Sequence, residues 1–120
     1  EAARQRGIMV NTVDVPSLCD FIFPAVVRQG DVVAAISTSG KSPALAAALR
    51  RKLEDMLSKD ADRVARTLGA VRAEVQARLP TFDQRKAAYE QVLASGILNW
   101  ISDVDDETAL ERVREIIRKC

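Results

Sequence analysis

Asp31-Val32-Val33-Ala34-Ala35-Ile36-Ser37-Thr38-Ser39-Gly40-Lys41-Ser42-Pro43 joins an apolar run to a helix start through a polar turn. The run up to Ile36 has β-branched residues and no internal breaker, which predicts a buried strand. Ser42 followed by Pro43 predicts a helix N-terminus, with the hydroxyl as cap and proline in the first helical position. Gly40 lets the backbone turn where a side chain would clash, so successive N–H groups can converge on an anion. The hydroxyls around it and Lys41 add side-chain donors at the same place. A turn of this kind is either a serine-rich cap or a site facing phosphates or carboxylates.

Working outward, Gln29-Gly30-Asp31 is a turn signal between two apolar runs, predicting a hairpin of residues 23–28 and 32–37. Pro24 near its start places the first strand at an edge. A two-stranded unit is marginal alone and needs a helix or another chain against it. Further upstream, residues 8–13 read as a strand and residues 17–21 as a helical turn. Downstream, Leu45, Leu49, Leu53 and Met56 fall on one helical face, while Arg50, Arg51 and Lys52 fall on the solvated sides.

Val64, Leu68, Val71, Val75 and Leu79 recur at spacings of three and four, predicting one long amphipathic helix over 60–79, too short to be a sustained coiled coil. Pro80 stops it, and Thr81 with Gln84 predicts a capping box for the next helix, which runs toward Ser95 with Tyr89, Val92 and Leu93 on its core side. Gly96 breaks that helix before the apolar segment 97–101, where Trp100 reads as a core plug. Asp105 or Asp106 then opens a last helix with Leu110, Val113, Ile116 and Ile117 on one face. The predicted fold class is α+β, mainly helical, with a small β-hairpin followed by a helical C-terminal domain.

Composition bounds the function. The 120 residues suffice for one core. Eighteen basic against seventeen acidic residues, net +1, give no general argument for nucleic acid or a membrane as partner. No apolar run approaches the roughly 18 residues of a spanning helix, and nothing resembles a signal peptide. Cys19 and Cys120 suggest reduced thiols in a cytoplasmic protein rather than a disulfide framework. With no histidine and two isolated cysteines, no dedicated metal site is expected. The glycines at 7, 30, 40, 69 and 96 stand alone, so no dinucleotide fingerprint is present.

The segment Val10-Asn11-Thr12-Val13-Asp14-Val15-Pro16-Ser17-Leu18-Cys19-Asp20-Phe21-Ile22-Phe23-Pro24, read together with the polar turn, resembles the bacterial precorrin-2 dehydrogenases of sirohaem synthesis, including the N-terminal half of multifunctional sirohaem synthases. The shared pattern is V-N-x-x-D-x-P, then F-I-x-P, an apolar strand, and I-S-(S/T)-(G/S)-G-K-S-P-x-L-A followed by L-R. It covers residues 7–57; beyond that the chain is similar only as a helical tail. The resemblance implies three segments: residues 1–14 as the end of an NAD-binding Rossmann domain otherwise in front of this chain, 15–57 for dimerisation and substrate binding, and 58–120 as the helical C-terminal domain. It implies NAD as cofactor, held mainly outside this chain, with no cofactor-binding residue within it. A homodimer through residues 21–37 follows in the same way.

The resemblance also assigns roles. Asp14 aligns with the family's catalytic aspartate: precorrin-2 loses a hydride to NAD and also protons, and a carboxylate beside the macrocycle can accept a proton. Partial burial would raise its pKa from about 3.9 toward neutrality. The plainer alternative is that Asp14 caps the turn at Pro16. Asp20 matches no position of the motif and reads as structural. Ser37, Thr38, Ser39, Gly40, Lys41 and Ser42 would receive the acetate and propionate groups of the tetrapyrrole. The family often has a second glycine where this chain has Ser39, which bears on how closely the backbone can approach a ligand.

Some members also insert iron into sirohydrochlorin; without histidine this chain leans to dehydrogenation alone, although a carboxylate and a held macrocycle suffice for chelation. Two other readings differ in class. The turn is similar to that of phosphosugar-binding domains of the sugar-isomerase type, which requires further parallel strands after the helix. A helical interaction module without a ligand accounts for residues 58–120 but not for the polar turn and Asp14.

Overall fold

The computed structural model describes residues 2–13, 15–57 and 60–120. It divides into two compact units, Glu1–Arg28 with Val33–Met56, and Gln29–Val32 with Leu57–Cys120. The fold is α+β and mainly helical, as expected.

The first unit opens with the short helix α1 (Ala2–Gln5), an irregular segment and a single 3₁₀ turn at Pro16–Leu18. Strands β1 (Ala25–Gln29) and β2 (Val32–Ile36) form an antiparallel hairpin around Gly30 and Asp31. One face of the hairpin is covered: Val27 is buried, and Val32, Ala34 and Ile36 are half-buried. The other face exposes Val26 and Val33. Helix α2 (Pro43–Met56) starts where predicted, but its apolar face does not reach a core. Leu45, Leu49 and Met56 are exposed, Leu53 is half-buried, and no residue of the helix is buried. Periodicity reports that a helix has an apolar side, not that its own chain covers it.

The expected strand over residues 8–13 does not form. Among the described residues no strand lies beside it, and its polar groups turn elsewhere: the Val10 N–H donates to the Asp20 carboxylate and the Val10 carbonyl accepts from the Asp20 N–H. A strand needs a neighbour for its ladder, and these bonds close a loop instead.

The second unit holds the core. Helices α3 (Ala61–Ala70), α4 (Arg72–Arg78), α5 (Phe82–Ala94), α6 (Ile97–Trp100) and α7 (Asp106–Arg118) enclose Val64, Val71, Val75, Leu79, Ala88, Val92, Ile97, Ile101, Ala109, Val113 and Ile117. The predicted single helix over 60–79 is two helices, interrupted at Val71 (φ −87°, ψ −2°) just after Gly69, a poor helix former. The interruption leaves Val71 almost fully buried. Thr81 and Gln84 make both bonds of the capping box, and Asp105 caps α7 by accepting from the Thr108 N–H at 2.7 Å. Gly96 ends α5 with φ +75°. On α5 the core side is Ala88 and Val92 with Tyr89 beside them, and Leu93 is exposed. Trp100 is half-buried; its indole N–H donates to Ser95 O, and Arg112 lies 4.3 Å over its ring.

Arg63 ties this unit together. From α3 its guanidinium donates to Asp106 Oδ1 (2.6 Å), to the Val104 carbonyl (2.5 Å) and to the Ile101 carbonyl. It thereby satisfies the backbone of the connector between α6 and α7. In the same unit, Asp62 Oδ1 accepts from the Asp31 N–H at 2.9 Å. Gly30 sits so close that a Cβ there would fall 2.0 Å from that oxygen, and its φ is +56°.

Replacing Arg63 by Leu removes three charge-assisted bonds while keeping apolar bulk. The expected loss is at least about 1.5–3 kcal/mol, the range for a single hydrogen bond to a charged group. Urea unfolding followed by the fluorescence of Trp100, the one tryptophan of the sequence, checks it. An unchanged midpoint would show the connector holding without Arg63.

Candidate functional site

The candidate residues lie in the first unit, on a loop and on the β2–α2 turn. The loop is closed at its base. Val10 and Asp20 exchange bonds in both directions, N–H to carboxylate at 2.8 Å and N–H to carbonyl at 2.7 Å. The Asn11 side-chain N–H donates to the Phe21 carbonyl at 2.8 Å. One step inward, the Thr12 N–H donates to Cys19 Sγ (3.1 Å), and the thiol faces the carbonyls of Thr12 (3.2 Å) and Val15 (3.4 Å). Arg4 from α1 pairs with Asp20 at 2.9 Å and donates to the Leu18 carbonyl. The Val10 N–H, and after it Arg4, hold the Asp20 carboxyl below its ordinary range. Asp20 is therefore a structural carboxylate, as its position outside the motif suggested. Asp14, the expected catalytic aspartate, lies outside the described residues.

In the polar turn the hydroxyls divide into two groups. Ser42 caps α2, its Oγ accepting from the Leu45 N–H at 3.1 Å. Thr38 Oγ1 accepts from the Ser42 N–H and donates to the Ser42 carbonyl, both at 3.1 Å. Ser37 Oγ accepts from the Ser39 N–H at 3.1 Å. These three therefore shape the turn. Ser39 and Gly40 take consecutive left-handed conformations, φ +53° and +75°. The serine in place of a second glycine thus keeps the glycine-like backbone. Ser39 and Lys41 are exposed, and no described residue bonds the Ser39 hydroxyl or the Lys41 ammonium.

Loop and turn meet. A Cβ at Gly40 would lie 3.4 Å from Ile22 Cδ1 and 3.9 Å from Pro16 Cβ, so the turn backbone at Gly40 lies beside the start of the 3₁₀ segment and the Ile22 side chain beyond it. Exposed Val13, Val15 and Ile22 give this region an apolar rim beside its donors. Reading the sequence missed the loop closure; its signal is the set of polar residues Asn11, Cys19 and Asp20 placed among apolar neighbours.

Among the described residues no three His, Cys, Asp or Glu side chains converge as a metal site, and no helix is long and apolar enough to cross a membrane. No strand follows α2 among the described residues, which the phosphosugar-binding reading required.

Three family models match the chain in succession: "Putative NAD(P)-binding" over residues 1–25, "Sirohaem biosynthesis protein central" over 35–56, and "Sirohaem synthase dimerisation region" over 61–117. The siroheme synthase of Psychrobacter cryohalolentis is 36% identical over 108 residues, 90% of this chain and 21% of its own length. That of Methylococcus capsulatus is 41% identical over 92 residues, 77% of this chain and 19% of its own length. That of Salmonella typhi is 35% identical over 115 residues, 96% of this chain and 25% of its own length. The chain thus spans a fifth to a quarter of the curated relatives it matches. With adjoining segments matched in order and the polar turn and loop in place, the chain belongs to the siroheme synthase family of sirohaem biosynthesis.

Proposed function

We propose that this chain supplies the substrate side of an enzyme that oxidises precorrin-2 to sirohydrochlorin with NAD. The observation that supports this reading is the closeness of Gly40, in the polar turn, to Pro16, two residues after Asp14 in sequence. It brings a donor-rich turn and a carboxylate-bearing loop to one neighbourhood, beside an apolar rim. A flat macrocycle edged with carboxylates has both kinds of surface.

The reaction removes a hydride and a proton from the substrate. NAD, when bound, takes the hydride. Asp14 accepts the proton, while the exposed Lys41 ammonium, the Ser39 hydroxyl and the Gly40 N–H bind substrate carboxylates. Ser37, Thr38 and Ser42 hold the turn in shape for that contact.

The active form is a homodimer whose contacts include residues 21–37. The hairpin's uncovered face, with Val26 and Val33, and the adjacent Phe23, exposed by 75%, supports this placement. The matched dimerisation region at 61–117 extends the contact to the helices. A stable interface buries more than about 1,000 Å² in total.

Three outcomes are expected. Asp14→Asn in the full-length enzyme should lower NADH formation by about 10²–10⁴-fold with folding intact, the range for a general base; wild-type turnover would leave Asp14 a turn residue. Lys41→Ala should weaken sirohydrochlorin binding about ten- to a hundredfold in an absorbance titration, matching a charged hydrogen bond of about 1.5–3 kcal/mol. Unchanged affinity would reduce the turn to a cap. Sedimentation of this chain should give a dimer at micromolar concentration, weakened by Val26→Ser with Val33→Ser. A dimer indifferent to that pair would confine the interface to residues 61–117.

A further inference from the structure

We propose that Asp20 is a positioning residue for the reaction, holding the loop that carries Asp14 in its working conformation. This rests on the reading of Asp14 as the proton acceptor. The carboxylate takes the Val10 N–H at 2.8 Å, while its own N–H returns a 2.7 Å bond to the Val10 carbonyl, so residues 10 and 20 form the neck of the loop. Arg4 bonds both the Asp20 carboxylate and the Leu18 carbonyl, fixing α1 to the same neck. Cys19 adds a second rung, tying Thr12 and Val15, the residues two before and one after Asp14.

The geometry argues for positioning rather than for stability alone. None of the loop's described residues is buried, so hydrophobic packing of those residues does not define its shape. Besides the local bonds of the 3₁₀ turn, three rungs run between the two flanks of Asp14, and the side chains of Asp20, Cys19 and Asn11 supply one side of each. A proton acceptor must sit within hydrogen-bond reach of its target, and a displacement of about 1 Å can cost on the order of 10²-fold in rate. The exposed Asp20 neck is therefore expected to affect kcat more than it affects folding.

The test uses the full-length enzyme, with precorrin-2 and NAD as substrates. Asp20→Ala should lower kcat about 10- to 100-fold, leave both KM values within about threefold and speed hydrogen exchange at the Val10 and Thr12 amides. Asp20→Asn, which retains an acceptor for the Val10 N–H, should recover kcat to within about threefold of wild type. Cys19→Ala should act in the same direction and Cys19→Ser should restore it, keeping a test open should Asp20→Ala fail to fold. Wild-type kcat in Asp20→Ala, or equal losses in the Ala and Asn variants together with a lowered melting temperature, would overturn the proposal. Asp14→Asn separates the two readings. If it is inactive while Asp20→Ala is fully active, only the positioning role fails; if it is fully active, the acceptor reading itself fails.

Discussion

One guanidinium holds the helical unit closed. Arg63 reaches from α3 to the connector between α6 and α7, and its three bonds there involve two backbone carbonyls and the Asp106 carboxylate. The connector is short, and its Ile101 is fully buried, so its polar backbone must be paired where it leaves the core. A neutral side chain could not supply several donors in one plane; arginine's fork can. With that connector fixed, α7 lays Ala109, Val113 and Ile117 against α3 and α5, and the remaining core follows. Arg114 extends the arrangement at the surface by bonding Glu74 of α4 and Glu111 of its own helix, which holds the Glu74 carboxyl below its ordinary range.

The first unit has no comparable centre. Of the core residues, all but Val27 belong to the second unit, whereas most exposed large hydrophobics belong to the first. That imbalance is physical evidence about use. A hairpin with one covered face and a helix without a buried side chain do not bury enough apolar area to stand alone. The exposed apolar residues of this unit are the surface that the proposed substrate contact and dimer would cover. The same residues that make this unit thermodynamically incomplete make it suited to bind.

Much of this was legible in the sequence, for identifiable reasons. The capping box at Thr81 and Gln84, the break at Gly96, the start of α2 at Pro43 and the hairpin turn at Gly30 are local signals, each a side chain or backbone preference acting within four residues. Failures came where a distant neighbour decides. Residues 8–13 carry β-formers but find no ladder partner among the described residues. Val71 interrupts a pattern whose spacing continues through it. Leu45 and Leu49 have helical periodicity yet stay exposed among the described residues. The motif residues at 37–42 were found as a group, yet which hydroxyls shape the turn and which face outward depends on backbone torsions that spacing does not encode.

Ser39 shows how the turn tolerates a departure from its family's glycine. An L-residue at φ +53° costs about 1–2 kcal/mol relative to an ordinary conformation, and glycine avoids that cost. The bond from the Ser39 N–H to Ser37 Oγ offsets part of it, and the Thr38 bonds to both the N–H and the carbonyl of Ser42 fix the other side of the turn. The backbone path is therefore kept by hydrogen bonds despite the side chain at position 39. The serine also leaves an exposed hydroxyl beside Lys41, a further hydrogen-bond donor at the surface of the turn. On this view the turn's shape is the constrained quantity, and the residue at position 39 is free to vary among those that can hold a left-handed backbone and still leave Gly40 close to Pro16 and Ile22.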